Sequence, residues 1–492
     1  MVLAGVSPPA AAQGQMNLPS LGDTARSDLT PVQERKLGEE IMQLIRRDRD
    51  YLDDAPMLEY LNNMGNNMLA LYPEARGETG NDFFFFAVRD PMINAFALPG
   101  GFIGVHSALI LAAQSESELA SVMAHEIGHV AQRHIARMMG RQSQDMLIPI
   151  AAAVLAAAAA RSSGDAAMGV LSGGLGLAAQ RQINFTREAE READRIGFQI
   201  LRAGGYDPSG MTVFFGRMQT ATRAYSDTTP AYLRTHPMTT ERIADIQARI
   251  REQPYKQRVD SLDFYLVRAR LRVLQDDTTQ GLAEADSAFQ SQLATKGRMQ
   301  TISAHYGQAL IAQKRGEIAK ARSLLQQARK GARDTQAMSR NALFASLSIE
   351  LRLASGQLKE AVKEARHACD LFPLSRGMVL QYAEALYAAG RLEDAASYLR
   401  DQVMSYRQEP KLHRQLAKTY AAQGKRALMH MAMAEAYGLN GSLSSALEQL
   451  ALARQAPDAT FYDQSIIDAR ERELKALRRE QIKDGKKDGA PA

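Results

Sequence analysis

The 492-residue sequence has no tryptophan, one cysteine and only 6% aromatic residues. A single cysteine, Cys369, excludes an intramolecular disulfide and does not by itself choose between an oxidising and a reducing compartment. Charge of one sign is also scarce. The 60 basic and 55 acidic side chains leave a net charge of +5 over the whole chain, which does not support a role with nucleic acid. No apolar run reaches the ~20 residues that a membrane-spanning helix needs. The strongest, residues 146–160, is short and dominated by Ala, and Arg161 and Gly164 follow it. It reads as a buried or lid-forming helical hairpin, with peripheral membrane contact as the lesser alternative. The first residues, MVLAGVSPPAAAQGQ, lack a basic start and a full apolar stretch, but Ala10-Ala11-Ala12 before Gln13 has the small-residue character of a cleavage site. Residues 1–28 therefore read as the remnant of a secretory signal, Pro/Gly/Ser/Ala-rich and disordered.

The chain has 45% hydrophobic residues and a length that suits two or three domains. It is rich in Ala, Leu, Met, Arg and Gln, which favour helix. Thr30-Pro31-Val32-Gln33 has the pattern of a helix start, and helices are expected over 31–48 and 56–72. Residues 83–88 (FFFFAV), 93–98 and 102–106 read as three strands, with Pro99-Gly100-Gly101 as the turn between the last two. Ser115-Glu116-Ser117-Glu118 is a capping signature for a long helix reaching about Met139. A second strong helix covers about 187–203 and is ended by Gly204-Gly205.

After about residue 262 the chain is helix after helix. Gly356, Gly390 and Gly424 are 34 residues apart, as are Ala361 and Ala395, and Gly441, Ala446 and Ala453 repeat the same offsets. A 34-residue period with a turn glycine and small residues at helix crossings is the tetratricopeptide signature. Such a solenoid offers a concave binding surface rather than chemistry.

Chemistry is concentrated in His125-Glu126-Ile127-Gly128-His129. Positions i and i+4 of a helix share one face, so both imidazoles can bind one ion, and Glu126 lies one step round, beside the metal. A catalytic zinc needs three protein ligands and an open position. The third is read as Glu190, on the second strong helix, with Asp194 four residues on placed to accept the free N–H of a ligand histidine. Glu188 and Glu192 are read as a solvated face. His134 lies nine residues after His125, about 180° round a continuous helix, and so is placed away from the zinc. His106, at the end of a strand, is a weaker candidate near the site.

The motif HEIGH followed by E-x-x-A-D resembles the gluzincin peptidases that include HtpX and the CAAX prenyl protease. Asn94–Gly101 (NAFALPGG), Thr235-His236-Pro237 and Arg242-Ile243 add to the likeness, which covers about residues 30–255. The membrane-embedded members named have spanning helices that this chain lacks. A soluble catalytic domain joined to tetratricopeptide repeats is similar instead to periplasmic members serving outer-membrane protein assembly. The resemblance implies a zinc metalloendopeptidase with one Zn2+ per chain, held by His125, His129 and Glu190. It implies Glu126 as catalytic base and His236 as a fourth, inhibitory ligand; a displaced His236, with Arg242, is a candidate for stabilising the oxyanion.

The expected fold is mainly α: an α+β gluzincin domain with a small sheet over residues 29–258, a tetratricopeptide solenoid over 262–475 and a charged tail over 476–492. The expected partners are unfolded or misassembled proteins and, through the repeats, an outer-membrane assembly machine. Strand 102–106 is the expected edge for an extended substrate. The competing reading is a scaffold or chaperone on that machine with proteolysis secondary.

Overall fold

The computed structural model describes residues 29–77, 82–139, 187–224, 231–253, 258–333 and 340–487. The signal-remnant and Ala-rich readings lie outside these residues. Among the described residues, no helix is long and apolar enough to cross a membrane.

The first helix, α1 (Pro31–Ile45), starts as a complete capping box. The Thr30 side chain accepts from the Gln33 backbone N–H, and Gln33 Oε1 accepts from Thr30 N at 2.9 Å. Helix α2 (Ala55–Leu71) is capped by Asp54. Strands β1 (Phe84–Val88), β2 (Ala95–Leu98) and β3 (Phe102–His106) form one sheet in the order β1-β3-β2. Strand β3 runs parallel to β1 and antiparallel to β2. It is therefore the central strand, with all five residues buried, and cannot offer an edge. This corrects the expectation from sequence: a short all-apolar run looks the same whether it is central or marginal, and only pairing decides. The outer side of β1 is closed. Asn62 brackets Phe85, donating to its O at 2.6 Å and accepting from its N at 3.0 Å, while Leu52 N donates to Ala87 O. The open edge is β2, which has no strand on its other side among the described residues.

A short helix α3 (Ser107–Ala112) leads into α4 (Glu116–Ala131), which carries the HEIGH segment and is buried along nearly its whole length. Ser115 caps it by accepting from Glu118 N. The helix does not continue to Met139. It ends at Ala131, Arg133 takes a left-handed φ of 50°, and α5 (His134–Met139) starts in a new direction. Arg133 is held in that costly conformation by its guanidinium, which pairs with Glu34 at 3.2 Å and donates to Leu29 O at 2.5 Å.

Helix α6 (Arg187–Ala203) packs directly on α4. Two glycines set the separation: a Cβ on Gly128 would lie 2.8 Å from Ala193 O, and one on Gly197 would lie 3.0 Å from Ala124 O and from His125 Cα. The backbones can meet at this distance only because both positions lack a side chain. Helix α7 (Ser209–Ala224), the short α8 (Ala231–Thr235) and α9 (Thr240–Arg251) close the remaining side. Tyr232 N donates to Ile93 O at 3.2 Å, which ties α8 to the start of the edge strand.

Twelve helices follow among the described residues: α10 (Leu262–Gln275), α11 (Thr279–Ala294), α12 (Arg298–Lys314), α13 (Ile318–Gly331), α14 (Ala342–Ala354), α15 (Leu358–Leu371), α16 (Arg376–Ala388), α17 (Leu392–Ser405), α18 (Pro410–Ala422), α19 (Arg426–Leu439), α20 (Leu443–Gln455) and α21 (Phe461–Lys487). Most successive helices pack on one another into a solenoid, while α10 packs mainly on α12. Gly316, Gly356, Gly390, Gly424 and Gly441 sit in the connecting turns with φ between 70° and 75°, a region open to glycine at little cost. Ala321, Ala361, Ala395 and Ala446, five residues after their glycines, are fully buried at helix crossings.

The first solenoid helices share one apolar core with the N-terminal half, running from Leu52 to Leu351. Polar clamps add to it. Arg270 grips Asp54 at 2.7 Å, and Glu59 caps the start of α16, accepting from Ser375 Oγ and Gly377 N at 2.8 Å each. Arg47 donates to Asn440 O, so the solenoid curves back against α1 and α2.

Candidate metal centre

His125 and His129 project from one face of α4, and their Nε2 atoms are 3.0 Å apart. Glu190, on α6, lies 3.5 Å from each through its two oxygens. His236, just after α8, sets Nδ1 2.9 Å from Glu190 Oε1 and 3.4 Å from His125 Nε2. Ligand atoms of these four residues all fall within 4.8 Å of one another, and all four side chains are buried. Two imidazole nitrogens facing each other beside a carboxylate, away from water, are a donor set for a cation. Glu126 is completely buried next to them, with Oε1 3.5 Å from His236 Nε2. Neither of its oxygens makes a well-formed hydrogen bond, and the hydroxyl of buried Tyr232, which interacts with Glu126, makes none either. Buried orphan groups are costly. Here they cluster where a metal, water and substrate would meet.

The electrostatics follow from burial and pairing. Burial works against charge on His125, but hydrogen bonds to Asp194 and Glu190 overcome it and push the imidazole up to about 9 in the metal-free protein. Burial holds His129 well below the usual histidine value. It raises the Glu126 carboxyl, a shift partly opposed by the charges of His236 and His125. Glu190 is buried too, yet His236 and the hydrogen bonds from His125 and His236 keep it well below the carboxylate range.

Asp194 lies behind the donors. Its Oδ1 is 3.0 Å from His125 Nδ1, and it accepts from Arg242 Nε and Nη2 at 2.6 and 2.8 Å. Arg242 also reaches Glu190 Oε2 and Pro237 O through Nη1, both at 2.7 Å. Every nitrogen of this guanidinium is engaged with a carboxylate or a carbonyl. That differs from the expectation of an oxyanion donor: Arg242 clamps the two acidic groups and the His236 loop. The family resemblance suggested the first role, for a displaced His236; in this structure the two carboxylates of α6 hold the guanidinium.

Two readings from sequence need correction. The break at Arg133 swings His134 back, so that its Nδ1 meets His129 Nδ1 at 2.9 Å rather than lying opposite the metal face. Glu192 is not merely solvated: its Oε2 accepts from His134 Nε2 at 3.0 Å and from Arg137 at 2.8 Å. Tyr232 was not singled out either. It stacks on His236, with ring centroids 4.7 Å apart. His106 is not part of this donor group; its Nδ1 is 3.2 Å from Met92 O.

A His-His-Glu donor set on two interlocked helices, with a buried carboxylate beside it, defines a metallopeptidase. Comparison with known proteins agrees. The model of Peptidase family M48 matches residues 60–250. The chain is 32% identical over 469 residues to the beta-barrel assembly-enhancing protease of Escherichia coli strain K12, covering 95% of this chain and 93% of the relative. It is 41% identical over 267 residues, 54% of each chain, to the putative beta-barrel assembly-enhancing protease of Vibrio cholerae. It is 32% identical over 169 residues to the mitochondrial metalloendopeptidase OMA1 of Schizosaccharomyces pombe, 34% of this chain and 47% of the relative. The chain belongs to the family of the beta-barrel assembly-enhancing proteases, with an M48 peptidase domain, and is a zinc metalloendopeptidase.

Proposed function

We propose that His125, His129 and Glu190 hold the zinc, that Glu126 is the general base, and that the enzyme clears misfolded or stalled chains during outer-membrane protein assembly in the periplasm. The observation that carries this reading is the convergence of the three donors on one buried point with the fully buried Glu126 carboxylate beside it. When bound, zinc supplies Lewis acidity, lowering the pKa of a water toward neutrality and polarising the scissile carbonyl. Glu126 takes the proton of that water and later gives it to the leaving amine; its burial raises its basicity for that task. Asp194 fixes the tautomer of His125, and Arg242 fixes Asp194. The open edge of β2, beside α4, pairs with an extended substrate through main-chain hydrogen bonds, which recognises backbone with little side-chain preference. His236, one of the four clustered donors, would take the fourth position at rest and exclude water there, and would have to withdraw for catalysis.

The solenoid, read as tetratricopeptide repeats, binds clients or the assembly machinery. Its clamps on α1 and α2 favour a second role as scaffold, since they make it a fixed part of the molecule. Glu126→Gln separates the two readings. Cleavage of an unfolded casein-type substrate should fall by about 10²–10⁴-fold, and normal cleavage by this variant sinks the mechanism. If the same variant fully restores outer-membrane assembly in a deletion strain, the scaffold role is primary.

A further inference from the structure

The two ligand histidines are oriented by different devices. His125 turns its Nδ1 to a carboxylate, Asp194, which is pinned by Arg242. His129 turns its Nδ1 to another imidazole, that of buried His134, at 2.9 Å. On its far side His134 meets Glu192 Oε2 at 3.0 Å, and Arg137 holds the same oxygen at 2.8 Å. The direction of each hydrogen bond follows from the metal side. A ligand nitrogen must offer a lone pair, so His129 Nε2 carries no proton and Nδ1–H donates. The facing His134 Nδ1 must then accept, which puts its own proton on Nε2, aimed at the Glu192 carboxylate.

We propose that His134 is a positioning residue for zinc, the middle member of a relay His129–His134–Glu192–Arg137 that fixes the tautomer and ring plane of His129. This deepens the metal-centre reading and rests on His129 being a zinc ligand. The relay exists because the chain breaks at Arg133. It also gives α6 two tasks: Glu190 and Asp194 serve the metal and His125 on one face, and Glu192, two residues on and about 200° round the helix, serves His129 through His134.

The test is zinc affinity of the full chain, measured against a chromophoric chelator, with the visible spectrum of the cobalt(II)-substituted protein as a second readout. His134→Ala should weaken zinc binding by about 10–100-fold and perturb the cobalt spectrum. His134→Asn should recover most of the affinity, because Asn Oδ1 falls close to where histidine Nδ1 sits and can accept from His129. Glu192 is partly exposed, so Glu192→Ala should fold even if His134→Ala does not; it should weaken zinc several-fold, while Glu188→Ala, exposed on the same helix, should not. His129→Ala should abolish binding. Wild-type affinity in His129→Ala overturns the metal-centre reading. Loss there, with wild-type affinity and cobalt spectrum in Glu192→Ala and in folded His134→Ala, overturns the relay alone.

Discussion

In the solenoid most helices pack mainly on the helix before or after them in sequence, whereas the metal centre joins side chains as far as 111 residues apart. The solenoid buries small apolar groups: Ala361, Ala395 and Ala446 at crossings, with positive-φ glycines at turns. The centre buries ionisable groups, including His125, Glu126, His129, Glu190, Asp194, His236 and Arg242. An error in a solenoid turn away from the clamps is a local loss, since the repeats there touch mainly their neighbours. An error at the centre leaves buried charges without partners, a far larger penalty.

That contrast can be broken or sharpened by measurement. The largest effect is expected at the joint between the regions. Arg270→Ala takes a buried guanidinium from the partly buried Asp54 and should cost about 3 kcal/mol, read by urea unfolding. An unchanged midpoint would mean the shared core alone joins the two regions. Next, Gly128→Val drives a side chain into Ala193 O, and forcing α4 from α6 should cost about 1–3 kcal/mol and weaken zinc binding together. Zinc retained at full affinity would show that the glycine contact does not set the donor separation. Zinc binding should also depend on pH. His125 rises to about 9 in the metal-free protein, so below that value the metal must displace its proton. Affinity should therefore increase about tenfold per pH unit from 7 toward 9 and then level off, with about one proton released in calorimetry across buffers. A flat profile would show that His125 is neutral before metal arrives. Smallest is Gly390→Ala. Its Cβ meets nothing within 4 Å, but φ of 72° makes it strained by about 1 kcal/mol, with zinc affinity unchanged.

Much of the centre was readable because its main signals are local. His125 and His129 are one turn apart on α4, Glu190 and Asp194 one turn apart on α6, and helix periodicity alone puts each pair on one face. The 34-residue period was equally plain, because each turn needs its glycine and each crossing its alanine. The misreadings share a cause. His134 was placed opposite the metal by extrapolating a straight helix; the break at Arg133 depends on Glu34 and Leu29, about 100 residues away. Strand β3 was taken for an edge because pairing order has no signature in a five-residue apolar run.

By itself the sequence determined most of the helices, the repeat period and the candidate metal-binding side chains, since propensity, periodicity and donor chemistry reside in neighbouring residues. Only the tertiary structure decided which edge of the sheet stays open, that Arg242 clamps carboxylates and that His134 backs His129. Those outcomes depend on distant groups competing for the same partner, and that competition is settled only once the chain is packed.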